Sequence, residues 1–428
     1  MASASISASA GARRINPASH RVDTRALGPG IEPFPLEFSG SGGEYFRVWI
    51  VNVLLSIVTL GLYTPFARRR TAQYFYGHTL VAGSPLEFTA QQRKMVVGFL
   101  VLVVLYFAFK LAADTGQDTV VTLFLLAGAA LAPYFWASAM RFRLGATRWR
   151  GVRLQFAASW GEVYRASWPT FVIALAWICA VLLAGALDAP AAKAGANAAK
   201  AALPIPGVLA IGLGLLALAA TFLCIIRLEF NYKSLLVSRA FIGNQRGRWK
   251  PVYGDFLRIW LATLGVLLLS ALVFVLLVVV GALLVGGTAA LLDQKNKLGM
   301  LATVLFIVLG VLALLVGLVL ASAPARAYRE ARMFQLVWSN VGVSDIARFK
   351  CRLKARRYVM LRLKNMLLTL VTLGFWRPFA LVSEYRMKTE SVTLHVKGGL
   401  DQLVGQLVQQ QGGIGDAMAD AVGLDLVG

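Results

Sequence analysis

The chain has 428 residues, is 58% hydrophobic and only 15% charged, and carries a net charge of +23 at neutral pH. Its apolar residues gather in long unbroken blocks, which excludes an ordinary soluble globule and reads as a membrane protein. Three widely spaced cysteines and three scattered histidines exclude a disulfide framework and a zinc site, so no metal and no cofactor is expected.

Residues 1–33 are rich in Ser, Ala and Gly with scattered Arg and have no apolar core of a secretory signal, which predicts a disordered cytoplasmic tail. A polytopic membrane domain with internal repeats follows over 34–397, and a C-terminal tail over 398–428 in which LDQLVGQLVQQ offers one short amphipathic helix.

The membrane domain opens on PLEFSG at 35–40. Leu and Phe two apart, with Glu between them, put apolar groups on one face of a strand and a polar group on the other. Glu44, Arg47 and Trp49 come next. An acid suits a helix N-terminus, Arg three residues on can pair with it, and Trp prefers the headgroup layer, so this trio reads as a membrane-entry anchor.

VTLGLYTPFA at 58–67 then breaks an apolar run. Gly61 suits the left-handed end of a helix and Pro65 the first turn of another. The run offers only about 19 residues, too few for two crossings at about 20 each, so a re-entrant hairpin is expected; an ordinary kinked crossing, or a helix that ends at the interface, is the alternative. Arg68, Arg69 and Arg70 follow, and HTLVAGSPLEF repeats the strand ending.

Three helical hairpins account for the long blocks: 95–111 with 120–140, 168–187 with 204–226, and 259–292 with 298–323. Their short links carry five lysines against four aspartates and no arginine, so all but +1 of the net +23 lies elsewhere. The links therefore face outward, and the connectors between hairpins are cytoplasmic.

The connector after the first hairpin contains ATRWRGVRLQF, whose Thr147, Gly151, Leu154 and Phe156 match Thr79, Gly83, Leu86 and Phe88 at identical spacing. Glu162, Arg165 and Trp168 renew the anchor, and Asp255, Arg258 and Trp260 give it a third time. Basic clusters with Arg148, Arg150, Arg153, Arg356 and Arg357, together with Arg68 to Arg70, suit anionic lipid headgroups. They hug membrane ends instead of forming a soluble module, so nucleic acid is not an expected partner.

VTLGFWRPFA at 371–380 returns the broken phrase, with Gly374 and Pro378 in the places of Gly61 and Pro65. Asn52 and Asn365 each stand nine residues before their glycine. Non-helical backbone at membrane depth needs cover from protein or water, so both breaks are expected to face the bundle interior.

The run FSGSGGEYFRVWIVNVLLSIVTLGLYTPFA, continued by RRRTAQYFYGHTLVAGSPLEF, resembles the YjgN-like family of bacterial multi-pass inner-membrane proteins of unknown function. The resemblance runs from about 34 to 395, is specific over 38–88 and again over 372–378, and is weaker through the middle hairpins. Phe66 stands where the family has Trp. The resemblance implies membrane class and bacterial inner-membrane location, and supplies no catalytic residue.

The expected fold is an all-α membrane protein with three transmembrane hairpins, two TLG segments that re-enter or span (six to eight membrane segments), and short cytoplasmic strands between them. No acid or His lies in the core of the six long segments, which disfavours a proton relay. No HExxH, GxSxG or P-loop motif is present, so the chain is not read as an enzyme. Two functions remain. One is a conduit or transporter for a small solute or lipid, with Asn52, Thr59, Gly61, Pro65, Asn365, Thr372, Gly374 and Pro378 at the site, since matching broken helices in two halves mark such sites. The other is a scaffold that binds anionic lipid or a partner protein through its basic face.

Overall fold

The computed structural model describes residues 30–193, 205–243, 245–289, 298–343 and 347–400, together with 402, 404, 405 and 407. The expected tail up to 29, parts of the hairpin links and the chain beyond 407 lie outside the described residues.

Strands form wherever the apolar/polar alternation recurs. They are β1 (Ile31–Pro35), β2 (Glu37–Phe38), β3 (Thr79–Val81), β4 (Ser84–Phe88), β5 (Thr147–Trp149), β6 (Val152–Phe156), β7 (Ala240–Ile242), β8 (Gln245–Trp249), β9 (Val341–Val343), β10 (Ala347–Cys351) and β11 (Val392–Lys397). All are paired antiparallel in the order β1-β11-β10-β9-β8-β7-β6-β5-β4-β3-β2. The two ends of that order, β1 and β2, are one stretch of chain interrupted only at Leu36, whose N–H donates to Val392 O at 3.0 Å. The sheet therefore closes on itself as a barrel.

The expected short strands between the membrane segments are present in a mostly helical chain, but they join into one closed ring, which the expectation of an all-α protein did not include. Each strand is indeed short, and a short strand leaves unpaired backbone at both edges; closure into a ring satisfies every edge at once. The turns fit tight hairpins. Val81 pairs with Ser84 and Trp149 with Val152, which leaves two-residue loops. Ala82, Gly83, Arg150 and Gly151 all have positive φ, between 49° and 78°, as the type I′ turn that matches strand twist requires.

Helices join the hairpins: α1 (Gly42–Val58), α2 (Thr64–Gly77), α3 (Gln92–Asp114), α4 (Asp118–Gly145), α5 (Trp160–Ala166), α6 (Trp168–Lys193), α7 (Ile205–Ser238), α8 (Tyr253–Ala289), α9 (Leu298–Asn340), α10 (Ala355–Val371) and α11 (Arg377–Glu390). Among the described residues five stretches are long and apolar enough to cross a membrane, within α3, α4, α7, α8 and α9, and the bent pair α5 with α6 makes a sixth. They form the three expected hairpins, with large apolar side chains such as Leu182, Leu216 and Leu277 more than 60% exposed. In water that surface would be costly; in lipid it is the ordinary exterior.

The two TLG segments are also hairpins. Phe38 at the end of β2 pairs with Thr79 at the start of β3, so α1 and α2 leave the barrel and return to it. Cys351 and Val392 pair likewise around α10 and α11. Gly61 and Gly374 have φ of +88° and +98°, and Pro sits in the first turn of both α2 and α11. Leu60 and Leu373 also adopt positive φ. The tips were expected to face the bundle interior; instead Leu60 and Leu373 are 95% and 90% exposed. An apolar tip needs no protein cover where lipid covers it, and the turn's own hydrogen bonds, such as Gly61 N to Ser56 O at 2.7 Å, satisfy its backbone.

Candidate functional site

Because alternate residues of a strand face opposite ways, the barrel has an inside. The repeat that ends in Leu-x-Phe places Leu36, Leu86 and Leu154 inward at the third strand position, with Phe349 and Gly247 in the two remaining hairpins. A second ring, Thr79, Thr147, Ala240, Val341 and Val392, stands next to the helices, and a third, Val81, Trp149, Ile242, Val343 and Leu394, lies beyond it. These fifteen positions make a fivefold repeat around a cavity of about 440 Å³.

Gly247 breaks the ring for a packing reason. A Cβ there would lie 2.2 Å from Val237 O, because the end of α7 enters the lumen beside it. At the far end the chain after β11 closes the barrel: Leu407 is 1% exposed, and its carbonyl comes so near Gly243 that a Cβ there would sit 2.7 Å away.

Polar groups at the helix-side mouth are paired with one another. The Thr79 hydroxyl donates to Phe75 O at 2.7 Å and accepts from Tyr385 Oη at 2.9 Å. Lys388 Nζ and Tyr358 Oη both donate to Glu330 Oε1, each at 2.8 Å. Burial raises the Tyr385 and Tyr358 hydroxyls above the ordinary phenol range. What remains to line the lumen is hydrocarbon. Protein interiors hold few voids larger than a water, and this volume lies within the roughly 300–1,000 Å³ of small-molecule pockets.

The TLG residues sit elsewhere. Asn52 Nδ2 donates to Ala67 O and Asn365 Nδ2 to Ala380 O, both at 3.4 Å, so each amide ties one arm of a hairpin to the other. Thr59 donates to Leu55 O at 2.7 Å and accepts from Tyr63 N at 3.0 Å; Thr372 repeats this with Leu368 and Trp376 at 2.7 and 2.9 Å. Pro65 and Pro378 are buried under their own hairpins. The two hairpins do touch, with Phe46 stacked on Phe379 at 5.8 Å and Trp49 edge-on to Phe375 at 6.5 Å. Asn365 adds bonds to Ser383 Oγ and Glu384 Oε1, and Arg362 also bonds Glu384.

The membrane-entry acids bond backbone. Glu44 and Ser41 form a capping box, as do Glu162 and Ser159, and Asp255 Oδ2 accepts from Val252 N at 3.2 Å. These hydrogen bonds hold the Glu44 carboxyl below the usual carboxylate range, the Ser41 N–H being the main cause. Glu162 pairs across the fold with Arg239, so the acids do not pair with Arg47 and Arg165 three residues on. Trp260 donates to Glu229 Oε2 at 2.8 Å, while Trp168 is 45% exposed. Arg258 lines a cavity between α8 and α9.

The basic residues divide among three elements. Arg68 and Arg70 are exposed on α2 with Arg69 half-buried between them. Arg148 and Arg153 are cross-strand partners on the outer barrel wall, and Arg150 at the turn bonds Ser84 Oγ at 2.7 Å. Arg356 and Arg357 are exposed at the start of α10. Among the described residues no cluster of His, Cys, Asp or Glu is placed to hold a metal ion.

The lumen was missed in the sequence because two of its five strand pairs carry no Leu-x-Phe ending. QRGRW and ARFKC keep only the in-out alternation, and that alternation after a helix end is the signal that could have found them.

A family model described as a bacterial protein of unknown function, DUF898, matches residues 33–421. The chain is 30% identical to the inner membrane protein YjgN of Escherichia coli O157:H7 and to that of strain K12, each over 136 residues, 32% of this chain and 33% of the relative. It is 28% identical to the YjgN of Salmonella typhimurium strain LT2 over 139 residues, 32% of this chain and 34% of the relative. The match thus spans about a third of the length of these curated relatives. No solved structure matches.

Proposed function

Since the chain belongs to the DUF898 family of bacterial proteins of unknown function, we propose that it is an inner-membrane lipid-handling protein, which takes a single apolar molecule such as an acyl chain from the bilayer into its barrel. The observation that carries this reading is the lumen: a closed ring of strands around about 440 Å³ of apolar space. The mouth lies at the helix ends, where α7, α9 and α11 contribute Val237, Trp338 and Thr389, and Leu407 stops the far end. The occupant therefore enters and leaves by the membrane side.

The relatives' names support an inner-membrane location, and the positive-inside rule supports a cytoplasmic side for the barrel with its arginines. The TLG hairpins dip into the same leaflet. Each first arm has 17 residues, about 25 Å at about 1.5 Å per residue, short of the about 30 Å hydrocarbon core. Exposed arginines on α2, α10 and the barrel wall hold the protein against anionic headgroups. No reaction is assigned; the role is binding and transfer.

The test is binding of a fluorescent fatty acid to the purified protein in detergent. One molecule should bind per chain, and Leu86→Trp and Leu154→Trp, which fill the lumen, should each cut occupancy at least tenfold. Unchanged binding in both variants would leave the barrel as a structural hub and return the scaffold reading.

A further inference from the structure

The hairpin of α8 and α9 holds a groove that the barrel does not use. α8 begins just after β8 and α9 runs directly into β9, so the ends of both helices nearest the barrel are also the ends of two candidate spans. That is the depth of the headgroup layer. Between the two helices lies a cavity of about 520 Å³, lined from α8 by Asp255, Arg258 and Ala262 and from α9 by Tyr328, Arg332 and Gln335. Steps of three and four residues put each set on one face of its helix. Among the described residues that line the groove, Asp255 is the acid and Arg258 and Arg332 are the bases.

The charges are ordered along the groove. Asp255 is nearest the barrel, and Arg258 stands one turn deeper, about 4.5 Å along the axis at about 1.5 Å per residue. Arg332 enters from the other helix about 12 Å from the barrel end of α9, by the same rise. Beyond them the lining turns apolar, and Leu269 continues the face of Ala262 as an exposed side chain. Asp255 Oδ2 accepts from Val252 N at 3.2 Å, which leaves its other oxygen for a second donor. Arg332 Nη1 donates to Gln335 Oε1 at 3.4 Å, and its guanidinium lies 5.7 Å from the Tyr328 ring centroid. These contacts on its own helix orient the guanidinium, whose five N–H groups leave donors for a ligand. Among the described residues neither Arg258 nor Arg332 forms an ion pair, whereas Arg329, three residues earlier, pairs with Glu229 of α7 at 3.5 Å and covers the Trp260 ring. Arg329 is accounted for by packing; two exposed cations beside an acid at the end of a span are not.

We propose that this groove seats a phospholipid whose head joins a phosphate to a primary ammonium, as in phosphatidylethanolamine, with Arg258 and Arg332 on the phosphate and Asp255 on the ammonium. Guanidinium forks match phosphate oxygens in pairs. The lipid in a bilayer presents its ammonium outermost, its phosphate next and its chains deepest, and the groove offers acid, arginine and hydrocarbon in that order. A head ending in glycerol brings no charge to Asp255, and a choline head has no N–H to donate. Arginines that merely anchored the helix ends would hold any of these phosphates alike. The site is separate from the lumen and does not rest on the lipid-handling reading.

The experiment uses the full-length protein in detergent, loaded with equal amounts of phosphatidylethanolamine, phosphatidylglycerol and phosphatidylcholine, with retained lipid and oligomeric state read by native mass spectrometry. Wild type should retain one phosphatidylethanolamine per chain, at least fivefold over each of the other two. Arg258→Gln with Arg332→Gln should reduce that retention at least tenfold. Arg93→Gln with Lys94→Gln, two exposed cations at the start of α3, and the lumen-filling Leu86→Trp should each leave it within twofold. Asp255→Asn keeps a side-chain oxygen for the helix cap and should abolish the preference over phosphatidylglycerol. Should the arginine pair fail to fold, that preference decides by itself. Arginine-dependent retention of all three lipids alike would make the groove a plain headgroup anchor, and a lipid-free dimer that the arginine substitutions dissociate would give it to a second copy of the chain. Either result would overturn the proposal, as would groove variants that match the controls.

Discussion

The two TLG hairpins carry the same asparagine, and the structure says that its removal has unequal consequences. Asn365 is 4% exposed and its amide reaches Ser383 Oγ at 3.0 Å and the Glu384 carboxylate at 3.1 Å, besides the longer bond to Ala380 O. Glu384 is itself 6% exposed. A hydrogen bond to a charged group contributes about 1.5–3 kcal/mol, and a buried partner left unpaired adds to the loss. Asn365→Leu should therefore cost about 2–3 kcal/mol. Asn52 is 6% exposed but makes one bond of 3.4 Å, and its Oδ1 has no partner. Removing an unsatisfied buried acceptor offsets the loss of one weak bond, so Asn52→Leu should lie within about 1 kcal/mol of wild type. The assay is thermal unfolding in detergent read by a thiol-reactive dye in a Cys179→Ser background, since Cys179 is exposed while Cys224 and Cys351 are buried until the fold opens. Equal losses at the two positions would refute the reasoning, because the hydrogen-bond inventory would then not set the energy.

Gly247→Ala puts a Cβ 2.2 Å from Val237 O, and the backbone must give by more than about 1 Å to relieve it; a loss of about 1–3 kcal/mol is expected in the same dye assay, whereas a neutral result would mean that α7 does not enter the lumen. His395 has a folded pKa below its ordinary 6.5, so on acidification the unfolded chain takes up the proton first and stability is lost as pH falls from 6.5 through the folded value. Melting temperature between pH 7.5 and 5.5 should therefore drop further for wild type than for His395→Gln, and equal drops would contradict the assignment. Gly43→Cys and Gly77→Cys, both at exposed positions with open space for a side chain, should react with an impermeant reagent from the cytoplasmic side only and Gln117→Cys from the opposite side only. Labelling of the two glycine positions from opposite sides would make α1 and α2 a crossing instead of a hairpin.

Much of this architecture is local and was open to reading in the chain. The long apolar runs of α3 to α9 are set by the thickness of a bilayer and need no partner to be recognised. Glycine and proline at the TLG turns fix positive φ and the first turn of the next helix through their own covalent geometry, so the breaks were legible at Gly61 and Pro65. The Leu-x-Phe alternation marked three strand endings and their apolar faces. Asn52 and Asn365 were visible as a pair, but whether each lined a site or tied its own hairpin depended on where Ala67 and Ala380 came to rest.

The barrel was decided only by tertiary structure. Its strands are three to six residues long apart from the two-residue β2, too short for a lone hairpin to be stable, and the pairings that join one hairpin to the next reach tens to hundreds of residues along the chain, as Phe34 beside Leu394 shows. No local pattern states that β1 and β2 are one stretch bonded to both ends of the sheet, nor that QRGRW and ARFKC occupy the same ring as SPLEF. Gly247 in the place of a leucine makes sense only once the end of α7 is beside it, and Arg258 and Arg332 share one groove only because α8 and α9 have come together. Sequence carries the preferences that act along the chain, hydropathy and backbone torsion; the hydrogen bonds that close a ring and the apolar lumen it encloses exist only between segments, and so appear only when the segments have met.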